Sequence, residues 1–222
     1  MNVATLIARF AKQMPTREIF KLGMTIEQAR MYIGAAVYSN VAHRGHKCAK
    51  SEKLSSYITQ AAEWLTTEDY PCLLLCGQSG NGKTTLMDAL RMVINDCELK
   101  DMQGTKVYCR ITNAKEVANM SKRDYKAFSD LCKYPILTLD DLGTEPMEVM
   151  DYGNIINPVL DLLTVRYENQ LMTIITTNLT PKQIREKYGN RVADRLNEFV
   201  QKIIFELPSY RGNTQRTAKE PL

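Results

Sequence analysis

Gly77-Gln78-Ser79-Gly80-Asn81-Gly82-Lys83-Thr84 is the stretch on which the reading of this 222-residue chain turns. It has the spacing G-x-x-x-x-G-K-[ST] and follows the apolar run Cys72-Leu73-Leu74-Leu75-Cys76, which reads as a strand buried on both faces. The glycines allow a sharp turn and a close approach of backbone N–H groups to phosphate oxygens. A helix opening at Lys83 adds a dipole that favours negative charge at its N-terminus. In this arrangement Lys83 reaches the β- and γ-phosphates, Thr84 offers a hydroxyl to Mg²⁺, and Thr85 stands beside the α-phosphate. A nucleoside triphosphate is the ligand such a loop takes.

Outward from the loop, apolar segments and helical patterns alternate. Strands are expected at 106–111, 136–140, 172–177 and 202–207, and between them lie helical spacings. Strands separated by helices imply a parallel sheet covered on both sides, so the fold class is a three-layer α/β sandwich with a parallel sheet. The segment Ile136-Leu137-Thr138-Leu139 ends in Asp140-Asp141. Ligands of open parallel sheets bind at the carboxyl ends of the strands, so Asp140 is the candidate to hold Mg²⁺ and Asp141 the candidate to polarise an attacking water.

Before residue 51 the pattern is helical only. Leu6, Ile7, Phe10 and Met14 fit one helix face, and Thr25 with Gln28 forms a capping-box signature ahead of Ile26, Ala29, Ile33, Val37 and Val41. Residues 1–50 therefore read as an N-terminal helical appendage and a candidate for partner binding, 51–212 as the nucleotide-binding domain, and 213–222 as a polar tail. Apolar residues make up 44% and charged residues 24% of the chain, an ordinary globular balance, and the net charge of +4 is too small to identify a nucleic-acid binder. No run of residues has the length and apolarity of a membrane span, and no secretory leader opens the sequence, so a cytoplasmic protein is expected. The six cysteines form no Cys-x-x-Cys pair, and Cys72, Cys76, Cys109 and Cys132 sit in segments that read as core. His43, His46 and Cys48 lack a fourth ligand nearby and fit a solvated loop.

Lys115, Lys122, Arg123, Lys126 and Lys133 are interleaved with Tyr125, Phe128 and Tyr134. Cations that track phosphates beside aromatic faces that stack on bases would suit single-stranded DNA. Glu116, Asp124 and Asp130 dilute the charge, so the same segment also fits an ordinary solvated surface.

The segment Asp140-Asp141-Leu142-Gly143-Thr144-Glu145, taken with the glycine-rich loop, resembles the Walker B region of AAA+ ATPases of the DnaC-type helicase loader and IstB-like families. The resemblance spans roughly residues 51–212. It implies an AAA+ type P-loop NTPase fold, ATP binding with Mg²⁺ and ATP hydrolysis. It also implies self-association or a partner ATPase such as a replicative helicase, and a role in DNA replication or, for the IstB-like branch, transposition. Thr176-Thr177-Asn178-Leu179 is similar to the family's sensor 1, which implies a γ-phosphate role for Asn178. Arg191-Val192-Ala193-Asp194-Arg195-Leu196 is similar to its box VII, where Arg195 would act on ATP held by a neighbouring subunit. Ser209-Tyr210-Arg211 resembles its C-terminal Ser-Tyr-Arg, which gives Arg211 a sensor 2-like role. A nucleotide-gated adaptor with little turnover and a small-molecule kinase are the rival classes. The kinase needs an arginine-rich lid, and no such segment is present in the sequence.

Overall fold

The computed structural model describes residues 2–11, 20–48, 51–67, 69–147, 149–151 and 154–210. In chain order the elements begin with α1 (Val3–Ala11), α2 (Ile26–His43), α3 (Glu52–Thr66), β1 (Cys72–Gly77), α4 (Lys83–Asp96), β2 (Arg110–Asn113) and α5 (Ala114–Arg123). They continue with α6 (Tyr125–Cys132), β3 (Ile136–Leu142), β4 (Val149–Asp151), β5 (Asn154–Ile156), α7 (Pro158–Glu168), β6 (Met172–Thr177), α8 (Pro181–Phe199) and β7 (Val200–Phe205). Five strands form one parallel sheet in the order β2-β3-β6-β1-β7. The chain leaves β1 for the β2 edge, works back to β6 and then crosses to β7, so the strand order reverses around β1. That is the place where open parallel sheets bind ligands.

Alternation along β1 divides the core between the two sides of the sheet, because successive side chains of a strand point to opposite faces. Leu73 and Leu75 pack with Ile33 of α2, Trp64 of α3 and Leu90 of α4, whereas Cys72, Leu74 and Cys76 pack with Val117 of α5, Leu162 of α7 and Leu196 of α8. This is the three-layer α/β arrangement read from the sequence. The Thr25–Gln28 capping box is present, and the buried Ala29, Ile33, Ala36 and Val37 of α2 lie in the same core cluster as α3 and α4. On α1, Leu6 is half-buried while Ile7 and Phe10 are exposed; Met14 lies outside the described residues.

Two strand expectations are corrected. The second strand runs from Arg110 to Asn113 instead of 106–111, because the preceding segment is held elsewhere: Val107 N–H donates to Leu99 O at 2.8 Å and Cys109 N–H to Asn95 Oδ1 at 2.7 Å. These bonds take 106–109 onto the end of α4 and away from the sheet. The last strand starts at Val200, directly after α8, and ends at Phe205, two residues ahead of the expected 202–207. The antiparallel hairpin β4–β5 was not foreseen from the sequence. Among the described residues no helix is long and apolar enough to cross a membrane.

One buried charge fixes the lower end of the sheet, where the strands begin. Arg166 of α7 is fully buried and donates to Thr173 Oγ1 at 2.8 Å and to the carbonyls of Tyr134 and Met172, both at 2.8 Å. Weaker bonds reach Cys132 O at 3.3 Å and Pro135 O at 3.5 Å. Burial lowers its pKa to about 10, which leaves the guanidinium charged at neutral pH.

Candidate nucleotide site

The glycine-rich loop follows β1 and ends at the N-terminus of α4, as its motif requires. Gly77 has φ +147°, and a Cβ there would lie 2.5 Å from Phe205 O and 2.6 Å from Asn81 Nδ2. Only glycine fits where the loop leaves the strand. Asn81 is buried and braces the turn from both sides: Nδ2 donates to Phe205 O at 3.1 Å, and Oδ1 accepts from Lys83 Nζ at 3.1 Å. Lys83 Nζ also donates to Gly77 O at 2.8 Å and Gln78 O at 2.7 Å, so the ammonium is directed into the loop. Gln78 and Ser79 are exposed at the tip, and Gly80 O accepts the Tyr210 N–H at 2.9 Å. Gly82, at φ +101°, is the N-cap of α4 and makes no side-chain cap hydrogen bond.

The acidic pair stands opposite. Thr84 Oγ1 lies 3.3 Å from Asp140 Oδ1. Two ligand oxygens on adjacent positions of an octahedral Mg²⁺ stand about 2.9 Å apart, given Mg–O distances of about 2.0–2.1 Å. The pair therefore fits that ion. The β3–β6 register shifts between Leu139 and Leu142, which lifts Asp140 and Asp141 out of the regular ladder. Thr176 fills the gap: its buried hydroxyl donates to Asp140 Oδ1 and accepts the Asp141 N–H at 2.9 Å. Asp141 is exposed and holds φ +54°, in the left-handed region that aspartate tolerates better than most residues. Thr177 Oγ1 donates to Leu142 O at 2.7 Å, so both threonines of the sensor-like segment tie β6 to the acidic turn. Asn178, one residue on, is exposed where β6 ends level with the loop, since Thr177 pairs with Cys76.

Glu145 is buried, and it is structural. Its carboxylate accepts from Gly143 N–H at 2.9 Å and from Tyr188 OH, and lies 3.5 Å from Lys187 Nζ. Lys187 also donates to Gly143 O at 2.7 Å and Glu145 O at 2.8 Å. The turn after the two aspartates is thus clamped to the first half of α8, whose helix breaks one residue later at Gly189. Cys76, below the loop, is pushed up to about 11 by burial, against the opposing charges of Lys202 and Lys83, and remains a thiol at neutral pH.

The remaining sequence candidates divide by location. Arg195 is half-buried against α7, where it donates to Thr164 Oγ1 at 3.5 Å, faces Glu168 at 3.8 Å and lies 5.0 Å from the Tyr167 ring centre. It precedes Val200, which pairs with Cys72 at the start of β1, so it sits toward the end of the sheet remote from its own loop. Arg211 lies outside the described residues, as does the tail 213–222. Lys122, Arg123, Tyr125 and Lys126 are exposed around the single residue Asp124 that joins α5 and α6. Lys115 is exposed on the first turn of α5, about 10 Å along the helix from Lys122 at 1.5 Å per residue. Phe128 is buried in the core, and Tyr134 lies under the Arg110 guanidinium at 3.9 Å, so of the aromatics in this segment Tyr125 is the exposed one. Among the described residues no cluster of His, Cys, Asp and Glu could hold a metal through three side chains, and His43, His46 and Cys48 do not assemble one. The bracing by Asn81, the bridging by Thr176 and the Glu145 clamp were not read from sequence; the adjacent threonines at a strand end were the one visible signal.

Residues 15–218 match the family model described as IstB-like ATP binding protein. Among solved structures, a crystal structure of the DnaC helicase loader aligns with a TM-score of 0.58 at 20% identity, covering 80% of this chain and 100% of that one. A crystal structure of DnaI aligns with a TM-score of 0.57 at 21% identity, covering 82% and 93%. The replication initiator DnaA bound to AMPPCP and single-stranded DNA aligns with a TM-score of 0.52 at 16% identity, covering 72% and 48%. At these identities the structures establish the shared AAA+ P-loop fold. No curated protein sequence matches.

Proposed function

Because the chain belongs to the family of IstB-like ATP-binding proteins, we propose that it binds ATP with Mg²⁺ on the Gly77–Thr84 loop, hydrolyses it, and uses the nucleotide to gate its assembly on DNA. The observation that carries this reading is the convergence of Lys83, Thr84, Asp140 and Asp141 at the carboxyl end of the sheet, with Thr176 bonded to both aspartates. Backbone N–H groups of the loop and the first turn of α4 receive the phosphates, and Thr84 and Asp140 hold the cation. Bound there, Mg²⁺ supplies charge neutralisation on the β- and γ-phosphates. Asp141 orients and polarises the attacking water, and Asn178 at the tip of β6 faces the γ-phosphate.

Arg195 acts in trans. Its place toward the far end of the sheet supports a role on a neighbour's phosphates, where a permanently charged, planar guanidinium stabilises developing charge. Assembly is thereby required for turnover, and ATP between subunits stabilises it. The helices before residue 51 meet a partner, and Lys122, Arg123, Tyr125 and Lys126, with Lys115 further along α5, contact single-stranded DNA. The setting is cytoplasmic DNA replication, with a replicative helicase as the partner. A transposition-helper role is the second reading, favoured by the IstB-like family match itself. A slow, adaptor-like turnover is compatible with Asp141, whose side chain is short and whose backbone is left-handed.

The test is phosphate release as protein concentration rises, with and without single-stranded DNA, in wild type and in a mixture of Arg195→Ala with Lys83→Ala. Turnover per subunit should rise with concentration, and mixing the two inactive variants should restore part of it. Concentration-independent turnover, or full activity of Arg195→Ala alone, would refute the shared site. Phosphoryl transfer to nucleosides in place of water would move the protein to the kinase class.

A further inference from the structure

The last turn of α2 is stitched to the first turns of α4, immediately behind the phosphate loop. Arg44 ends α2, its N–H bonded to Ala42 O and Asn40 O, and its guanidinium then spans two residues of α4. Nη1 donates to Thr85 Oγ1 at 3.0 Å and Nη2 to Asp88 Oδ2 at 3.0 Å. Asn40 Nδ2 approaches Thr85 O at 3.5 Å from the same turn. A threonine hydroxyl has one proton and two lone pairs, and a guanidinium only donates. The Thr85 oxygen therefore accepts from Arg44, which leaves its proton directed elsewhere. Thr85 follows Lys83 and Thr84 at the opening of α4, on the strand-exit side of the sheet where the phosphates arrive.

We propose that Arg44 is a positioning residue of the nucleotide site: by binding the Thr85 oxygen it turns that hydroxyl's proton toward the α-phosphate, and so couples the N-terminal helix α2 to nucleotide occupancy. The inference rests on the reading of Gly77–Thr84 as the nucleotide loop. Since the α-phosphate is common to ATP and ADP, Arg44 supports both equally and does not discriminate the γ-phosphate. Asp88 holds the guanidinium in the orientation that reaches Thr85. Any force on α2 that draws Arg44 away then loosens nucleotide, and bound nucleotide in turn holds α2 against α4.

Calorimetric titration of the full chain with ADP and with ATP tests this in wild type, Arg44→Ala, Thr85→Val and the double variant. Each single substitution should weaken both nucleotides alike by about tenfold, the worth of one hydrogen bond to a charged group. The double variant should be no weaker than Thr85→Val, because Arg44 works through that hydroxyl. A purely structural Arg44 would give losses that multiply in the double variant, whatever the melting temperatures, and that result overturns the inference. Arg44→Ala binding within twofold of wild type overturns it too. Lys83→Ala separates the two levels: if Lys83→Ala loses binding and Arg44→Ala does not, only this inference falls, and if Lys83→Ala also binds as wild type, the loop reading falls.

Discussion

Replacing Thr176 by valine deletes one hydroxyl and keeps the branched shape of a side chain that is wholly buried. Two bonds go with it: the donation to Asp140 Oδ1 and the acceptance of the Asp141 N–H at 2.9 Å. A hydrogen bond to a charged group contributes about 1.5–3 kcal/mol, and a buried N–H left without a partner costs about 1–3 kcal/mol. The two share one centre and do not add fully, so the expected loss is about 2–4 kcal/mol in the free energy of unfolding by urea. The consequence for chemistry is larger than for binding. Asp140 loses a donor that fixes its carboxylate, and Asp141 loses the anchor that holds its left-handed backbone, whereas Lys83 and its loop partners are untouched. Phosphate release should therefore fall about tenfold or more while ATP affinity stays within about threefold, and Thr176→Ser, which restores the hydroxyl, should recover most of both stability and turnover. A valine variant within about 0.5 kcal/mol of wild type and with turnover within about twofold would refute the assignment of Thr176 as the bridge between the two aspartates.

Arg166→Met keeps the length of a fully buried side chain but abandons the carbonyls of Tyr134 and Met172; urea unfolding should register a loss of about 3–5 kcal/mol, and a change under about 1 kcal/mol would show that Arg166 is not the anchor of the sheet. In alkali, burial holds Cys76 and Cys132 at about 11 and Cys109 at about 12 against an ordinary 9.0, so between these limits the folded chain keeps protons that the unfolded chain has lost. Stability should then fall as pH rises above about 9, by up to about 1.4 kcal/mol per pH unit per thiol, and replacing Cys76 and Cys132 by alanine should flatten that slope in pH-dependent urea melts; an unchanged slope contradicts the burial argument. Neutralising Lys122, Arg123 and Lys126 together should weaken single-stranded DNA binding and reduce its dependence on salt without altering ATP affinity, and a wild type with no salt-sensitive DNA binding in the presence of ATP would mark the segment as plain surface.

Much of this arrangement was legible in the residues because the determinants are local. The loop from Gly77 to Thr84 carries its own conformational demand, and the apolar run before it reads as a strand buried on both faces. The acidic pair was legible for the same reason, as charge placed directly after Ile136–Leu139. Residues whose partners are distant in sequence were not legible. Asn81 braces the loop against Phe205, Arg166 collects carbonyls from the segment 132–135, and Glu145 meets Lys187 and Tyr188 across about forty residues, so no spacing rule connects them. The second strand was misplaced because Asn95, a side chain on the preceding helix, takes the Cys109 N–H that a sheet ladder would otherwise claim. Arg44 was not legible either, because a lone arginine at a helix end reads as surface and only the packing of α2 on α4 brings it to Thr85.

The measurement closest to the central claim is a calorimetric titration of ATP with Mg²⁺ into wild type and Lys83→Ala, each checked by circular dichroism for an intact fold. Lys83 is buried within the loop and supplies its one side-chain cation. Its loss should lower ATP affinity at least about tenfold, equivalent to about 1.4 kcal/mol, and leave the fold intact. Equal affinity in the two proteins would mean that ATP does not sit on the Gly77–Thr84 loop, and the account of this site would be wrong.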